Sequence, residues 1–225
     1  MAGVQIAIDG PAASGKSTVA KLVAAALGGF YINTGDMYRA VTRAVLDAGI
    51  DADVDPAAAV SLLAKLDLRY RVVAGAPLLH LNGEPVQQES IRGPEVAGVV
   101  SFVARIAGVR DWLRERQRET RELGIIVMEG RDIGTVIFPD AAHKFFMTAS
   151  PEVRAQRRLD QAGEVADGAT LASVTAEIAE RDRIDSTRKV APLRPADDAI
   201  HIDTDALTPR QVADWIVARV RGEAA

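Results

Sequence analysis

Short apolar runs alternate along the chain with stretches whose apolar residues recur every three or four positions. The runs at 4–9 (VQIAID), 30–33 (FYIN), 125–129 (IIVME), 144–149 (KFFMTA) and 199–203 (AIHID) have the length of buried strands. They are rich in β-branched and aromatic residues, which suit a packed sheet. Helical spacing lies between them, over 16–28, 36–48, 109–123, 151–162, 170–187 and 208–221. Thr208 followed by Pro209 reads as the N-cap and first residue of the last helix. This alternation predicts an α/β fold with an open, five-stranded parallel sheet flanked by helices.

One segment breaks the rhythm. From 66 to 90 the polarity alternates with period two, interrupted by Gly-Ala-Pro and by Asn82-Gly83. An Asn-Gly pair between apolar runs specifies a two-residue hairpin loop. The expectation is a small antiparallel β insert between the second and third parallel strands, acting as a substrate-side module within one domain covering 1–225.

The bulk numbers exclude more than they assign. A net charge of −4 speaks against a general nucleic-acid or membrane-surface binder, so any basic site must be local. The absence of cysteine removes disulfides, thiolate catalysis and cysteine–zinc sites. Neither a secretory signal nor a membrane span is expected. A cytoplasmic monomer is the resulting expectation. Arginine supplies 22 of the 27 basic residues, which suits bidentate phosphate recognition but also follows from a GC-rich genome.

Chemistry first becomes explicit at 10–18, GPAASGKST, which satisfies G-x-x-x-x-G-K-[ST] between a predicted strand and a predicted helix. In this P-loop, Gly10, Pro11, Ala12, Ala13, Ser14 and Gly15 turn successive backbone N–H groups toward phosphate oxygens. The helix that opens at Lys16, Ser17 and Thr18 adds its positive end. Lys16 is placed for the β- and γ-phosphates of a nucleoside triphosphate, and the Ser17 hydroxyl for Mg²⁺. Use of the nucleotide is narrowed by what is missing. No N-K-x-D guanine motif occurs, and the best candidate for a motor-type acidic strand end, Glu129 in IIVMEG, has no coupling motif beside it.

Arginines cluster at other plausible cleft edges. In NTGDMYRA (33–40), Thr34 stands at a strand-to-helix junction where a hydroxyl and N-terminal amides can bind an oxyanion, with Arg39 about a turn later. A plain N-cap with a surface arginine is the alternative. EGRDIGT (129–135) puts Arg131 and Asp132 at the carboxyl end of the sheet, where open α/β folds bind ligands. Arg154, Arg157 and Arg158 share one side of a helix. Farther on, Leu171, Val174 and Ile178 form an apolar stripe, and in RDRIDSTR (181–188) Arg181, Asp185 and Arg188 continue nearly the same side while Arg183 points away. This could be a solvated helix end or a cationic clamp. So much guanidinium fits a phosphate acceptor better than a hydroxyl acceptor. A phosphate monoester is already ionised at neutral pH, its second pKa being about 6, so no general base is needed.

The motifs IDGPAASGKST, NTGDMYRA, EGRDIGTVIFPDA and ERDRIDSTRKVAPL occur in the order and spacing of the bacterial cytidylate kinases, and the chain resembles that family from about residue 4 to 215. The resemblance implies a P-loop nucleoside monophosphate kinase that moves the ATP γ-phosphate to CMP or dCMP with Mg²⁺. It implies an NMP-binding insert over about 66–105 and a short lid with acceptor-clamp helices over about 154–188. By position, residues 10–18 hold ATP. Thr34, Arg39 and Arg131 take the acceptor phosphate, and Tyr38 lines the site. Ser101, Arg110 and Asp132 contact cytosine. Arg181 and Asp185 lie on the sugar side, Arg188 faces the nucleotide, and Arg157 matches a lid arginine. Two positions depart from the pattern: Asn33 replaces the usual aspartate, and Asp36 stands where alanine is frequent. Rival readings are a small-molecule P-loop kinase for UMP, AMP or a hydroxyl acceptor such as shikimate, and a nucleotide-binding regulator without turnover. Adenylate kinases share TGDM but also carry an Asp-Gly-Phe-Pro-Arg signature, which is absent.

Overall fold

A computed structural model describes residues 3–161, 165 and 168–223. The parallel strands are β1 (Gln5–Asp9), β2 (Phe30–Asn33), β6 (Ile126–Gly130), β7 (His143–Thr148) and β8 (Ile200–Asp203), within two residues of the predicted bounds. Their order is β2-β6-β1-β7-β8, all neighbours parallel. Strand β6, between β2 and β1, is buried at every position, which is why it reads as an unbroken apolar run rather than an alternating one. Parallel pairing puts the C-terminal residues at one edge: Asp9 is in register with Gly130, and Asn33 with Glu129.

The sheet belongs to the first of two compact units, formed by the described residues of Met1–Asn33, Arg121–Asp160 and Ala169–Ala225. Its helices are α1 (Lys16–Leu27), α7 (Pro151–Leu159), α8 (Leu171–Thr187) and α9 (Pro209–Arg221). Ile6, Ile8, Val127, Phe145 and Met147 from the sheet pack with Val19 and Val23 of α1 and Ile216 of α9. Each such fully buried side chain contributes roughly 1.5–3 kcal/mol. Thr208 caps α9 by accepting from the Gln211 N–H, with Pro209 first inside. Val174 and Ile178 are buried as their spacing predicts, but Leu171 is half exposed, because it opens α8 before that face meets the core. The end of the helix expected over 151–162 and part of the lid expected over 154–188 lie outside the described residues.

The second unit comprises the described residues of Thr34–Thr120 and Gln161–Gly168. It contains α2 (Thr34–Asp47), α3 (Pro56–Leu62), β3 (Leu68–Val73), β4 (Ala76–Leu81), β5 (Glu84–Pro85), α4 (Gln88–Arg92), α5 (Pro94–Ala104) and α6 (Ala107–Glu119). The three strands form an antiparallel sheet in the order β3-β4-β5. Both hairpin loops have two residues with positive φ, Ala74-Gly75 and Asn82-Gly83, as type I′ turns require. Helices α3, α4 and α5 correct the sequence reading. The start of α3 has a cap signal, the Asp55 side chain accepting from Ala58 N–H ahead of Pro56. In α5 the valines of PEVAGVVSFVA favour strand locally and Gly98 weakens a helix, and burial of Val96, Val100 and Val103 overrides both. Helix α2 begins at Thr34, two residues before the expected start, and α6 ends at Glu119, with a tighter turn over Thr120–Leu123.

Candidate active site

The phosphate loop is shaped by its backbone. Gly10, Ala13 and Gly15 all have positive φ, and Gly15 is the N-cap of α1. A Cβ on Gly10 would sit 2.0 Å from the Met147 carbonyl oxygen on β7, so nothing larger fits. Ser14 Oγ donates to the Pro11 carbonyl at 3.1 Å, and Lys16 Nζ donates to the same carbonyl at 2.6 Å. Burial pushes the Lys16 amine down to about 7, and the neighbouring Arg131 guanidinium pushes the same way. A polyphosphate beside it would reverse that shift.

Two acidic strand ends meet this loop. Ser17 Oγ donates to Glu129 Oε1 at 2.5 Å, and Tyr31 Oη donates to the same oxygen at 2.7 Å. Asp9, immediately before the loop, accepts the backbone N–H of Ile133 and of Gly134. Burial raises its carboxyl to about 7 against the pull of those two donors.

The arginine motifs of this unit converge by ion pairing. Arg131 Nε donates to Asp185 Oδ2 at 2.9 Å, and Arg188 lies 3.7 Å from both Asp185 and Asp132. Asp185 is buried, and burial alone would raise its carboxyl. The guanidiniums of Arg131, Arg181 and Arg188 outweigh burial and hold it below the usual carboxylate range. Arg183 is exposed and pairs with Glu180 in the turn before it. Arg154 is buried, donates to the loop carbonyl of Ala12 at 3.3 Å and pairs with Asp182 of α8 at 2.6 Å. Arg157 donates to Thr204 Oγ1 and to its carbonyl, and its Nη1 is 3.8 Å from the position of a Cβ on Gly15.

Within the second unit, Thr34 is buried at the start of α2. Arg39 is buried and donates to the Ile91 carbonyl at 3.1 Å. Arg110, buried on α6, has its guanidinium carbon 5.5 Å from the centre of the Tyr38 ring and donates to the Ala104 carbonyl. Ser101 is half-buried on α5. Asp36 accepts from Arg92 at 2.7 Å and from Gln88 at 3.3 Å, so the unusual carboxylate ties α2 to α4.

A family model described as "Cytidylate kinase" matches residues 6–222. The chain belongs to the cytidylate kinase family. The cytidylate kinase of Mycobacterium avium (strain 104) is 48% identical, with the alignment covering 100% of this chain and 99% of that protein. The cytidylate kinase of Geobacillus thermodenitrificans (strain NG80-2) is 49% identical over 94% of each. Among solved structures, an uncharacterised protein from Eubacterium ventriosum ATCC 27560 superposes with a TM-score of 0.52 at 12% identity, covering 98% of this chain and 99% of that one, a likeness of fold alone.

Several residues around the phosphate loop escape a reading of motifs. Glu129 has one signal, an apolar strand ending in an acid, but without motor motifs that signal carries no assignment. Asp9 reads only as a strand end. Tyr31, Asp182 and Thr204 have no local signal, since their partners are distant in sequence. No cluster of three or more His, Cys, Asp or Glu suited to a metal exists among the described residues. The Ser17 hydroxyl and Glu129 carboxylate are hard oxygen donors, the kind that Mg²⁺ takes one or two of when phosphates supply the rest. The residues present fit that ion.

Proposed function

We propose that this chain catalyses ATP-dependent phosphorylation of CMP and dCMP to CDP and dCDP by in-line attack of the acceptor phosphate on the γ-phosphorus. The reading is carried by the family match over 6–222. In the first unit, the same residues form a phosphate loop and a buried set of arginine–aspartate pairs. Two highly charged anions must be brought together, and guanidinium groups offset their repulsion. The acceptor oxygen is already ionised, so these side chains need only bind and align it.

In this scheme Gly10 through Thr18 hold ATP, and Lys16 neutralises its terminal phosphates. Ser17 would hold Mg²⁺, with Glu129 beside it kept in place by Tyr31. Bound magnesium supplies charge neutralisation and alignment of the β- and γ-phosphates. Arg131 and Arg188 bind the acceptor and the phosphoryl group in transfer, Arg157 reaches that group from the lid, and Arg181 and Asp185 take the sugar side. Thr34 and Arg39 bind the CMP phosphate, with Tyr38 lining the site. Ser101, Arg110 and Asp132 read the cytosine edge, for which a hydroxyl, a guanidinium and a carboxylate are suitable partners. The chain acts as a single nucleoside monophosphate kinase domain, with an NMP-binding insert over about 66–105 and a lid over about 154–188 that excludes water as an unwanted acceptor. It works as a cytoplasmic monomer. No helix among the described residues is long and apolar enough to cross a membrane.

A coupled assay of ADP release with CMP, dCMP, UMP, AMP or no acceptor tests this. Fast release with CMP and dCMP and negligible release without acceptor are expected. Tight ATP binding with no acceptor-stimulated turnover would support the regulator instead.

A further inference from the structure

Asp9 ends β1 in the core, with the first glycine of the phosphate loop next in the chain. Its two carboxylate oxygens each accept one backbone N–H: Oδ1 from Ile133 at 2.8 Å and Oδ2 from Gly134 at 2.7 Å. Those are the first amides of the helical turn Ile133–Ile137. Opening amides of such a turn have no carbonyl behind them and need an acceptor from elsewhere. Here it comes from the neighbouring strand, since β1 pairs with β6. The same turn closes back on the Asp132 carbonyl, which accepts from Val136 at 2.9 Å and Ile137 at 3.2 Å. Arg131 and Asp132 immediately precede the turn, and both are ion-paired to α8 or its C-cap residue. Gly134 suits this packing, because a Cβ there would crowd Lys144 Cδ at 3.2 Å while meeting Asp9 Oδ2 at an ordinary contact distance of 3.4 Å.

We propose that Asp9 is a positioning residue for phosphoryl transfer: its carboxylate, through the backbone of Ile133 and Gly134, fixes Arg131 and Asp132 relative to the phosphate loop. Both oxygens of Asp9 are engaged by these backbone amides. A charge-assisted pair of hydrogen bonds holds two short segments rigidly, and small misplacements of an aligning group cost large factors in rate. The proposal rests on the reading of Arg131 as an acceptor-side group.

The test is a cycle of Asp9→Asn, Arg131→Ala and the double variant, assayed with CMP and ATP. Asp9→Asn turns one acceptor into an N–H donor facing another N–H. It is expected to lower kcat by about 10- to 100-fold with the KM for ATP unchanged within about twofold. In the Arg131→Ala background the same change should cost less than about threefold, because the aligned group is already gone. Equal losses in both backgrounds, or a KM for ATP rising in step with the loss of kcat, would overturn the proposal. If Asp9→Asn does not fold, Gly134→Ala decides. Its methyl group presses on Lys144 Cδ at 3.2 Å, so it shifts the same turn and should lower kcat about fivefold with the same coupling to Arg131, and additivity would again overturn it. An Arg131→Ala enzyme with undiminished kcat would refute the reading of Arg131, and this proposal with it.

Discussion

In the proposed scheme the phosphate loop and the arginine–aspartate clamp both serve anions, yet they are built from different material. In the loop the side chains at Pro11, Ala12 and Ala13 are incidental, and the shape comes from positive φ at Gly10, Ala13 and Gly15 with Gly10 against the Met147 carbonyl. The clamp inverts this. Its backbone is a helix end and the segment that follows β6, and its properties come from charged side chains, Arg131 to Asp185 and Arg188 to both aspartates. A backbone cradle binds any polyphosphate of the right curvature. A set of ion pairs, as proposed for the clamp, can exchange carboxylate partners for a specific anion. The loop should therefore be sensitive to shape and the clamp to charge.

The largest effect is expected at Gly10. Gly10→Ala places a methyl group 2.0 Å from a backbone oxygen of the adjacent strand. The loop must move, and turnover should fall by about 100-fold or more with loss of ATP binding measured by calorimetry. Retained ATP affinity would show that the curvature is dispensable.

A smaller effect, with a pH signature, is expected at Asp185. Asp185→Asn removes the carboxylate shared by Arg131 and Arg188 and should cost roughly 3 kcal/mol. For a chain of this size that corresponds to about 6–12 °C in melting temperature. The folded-state carboxyl is held below its ordinary value by three guanidiniums, outweighing burial. Its contribution is therefore complete above the unfolded-state value of about 3.9 and lost as pH falls through the lower folded value. The melting-temperature gap between parent and variant should stay constant from about pH 8 to 5 and close below about pH 4. A gap that widens on acidification would contradict the assigned charge state.

The two regions also differ in how far the sequence reveals them. The loop is contiguous, so Gly10, Gly15, Lys16 and Ser17 announce it in nine residues, and the strand before and helix after confirm its setting. The clamp is legible only in part. Helical spacing places Arg181, Asp185 and Arg188 on one side and Arg183 away from it, but not Leu171, which is half exposed. The partners that complete each region lie far off in sequence. Ser17 meets Glu129 across 112 positions, and Asp9 meets Ile133 across 124. No periodicity encodes such pairs; strand order creates them by placing β6 beside β1. The insert shows the complementary limit. Asn82-Gly83 specifies its turn locally, whereas α5 forms because its valines are buried in the second unit, against their own preference for strand.

The division of labour between loop and clamp is tested most directly by calorimetric titration of Arg188→Ala with ATP and, separately, with CMP. ATP affinity should stay within about twofold of the parent, because no part of the cradle is touched. CMP affinity should fall by about 30-fold or more, the loss of a charge-assisted contact worth roughly 2–3 kcal/mol. Equal weakening of both ligands, or intact CMP binding, would contradict the account.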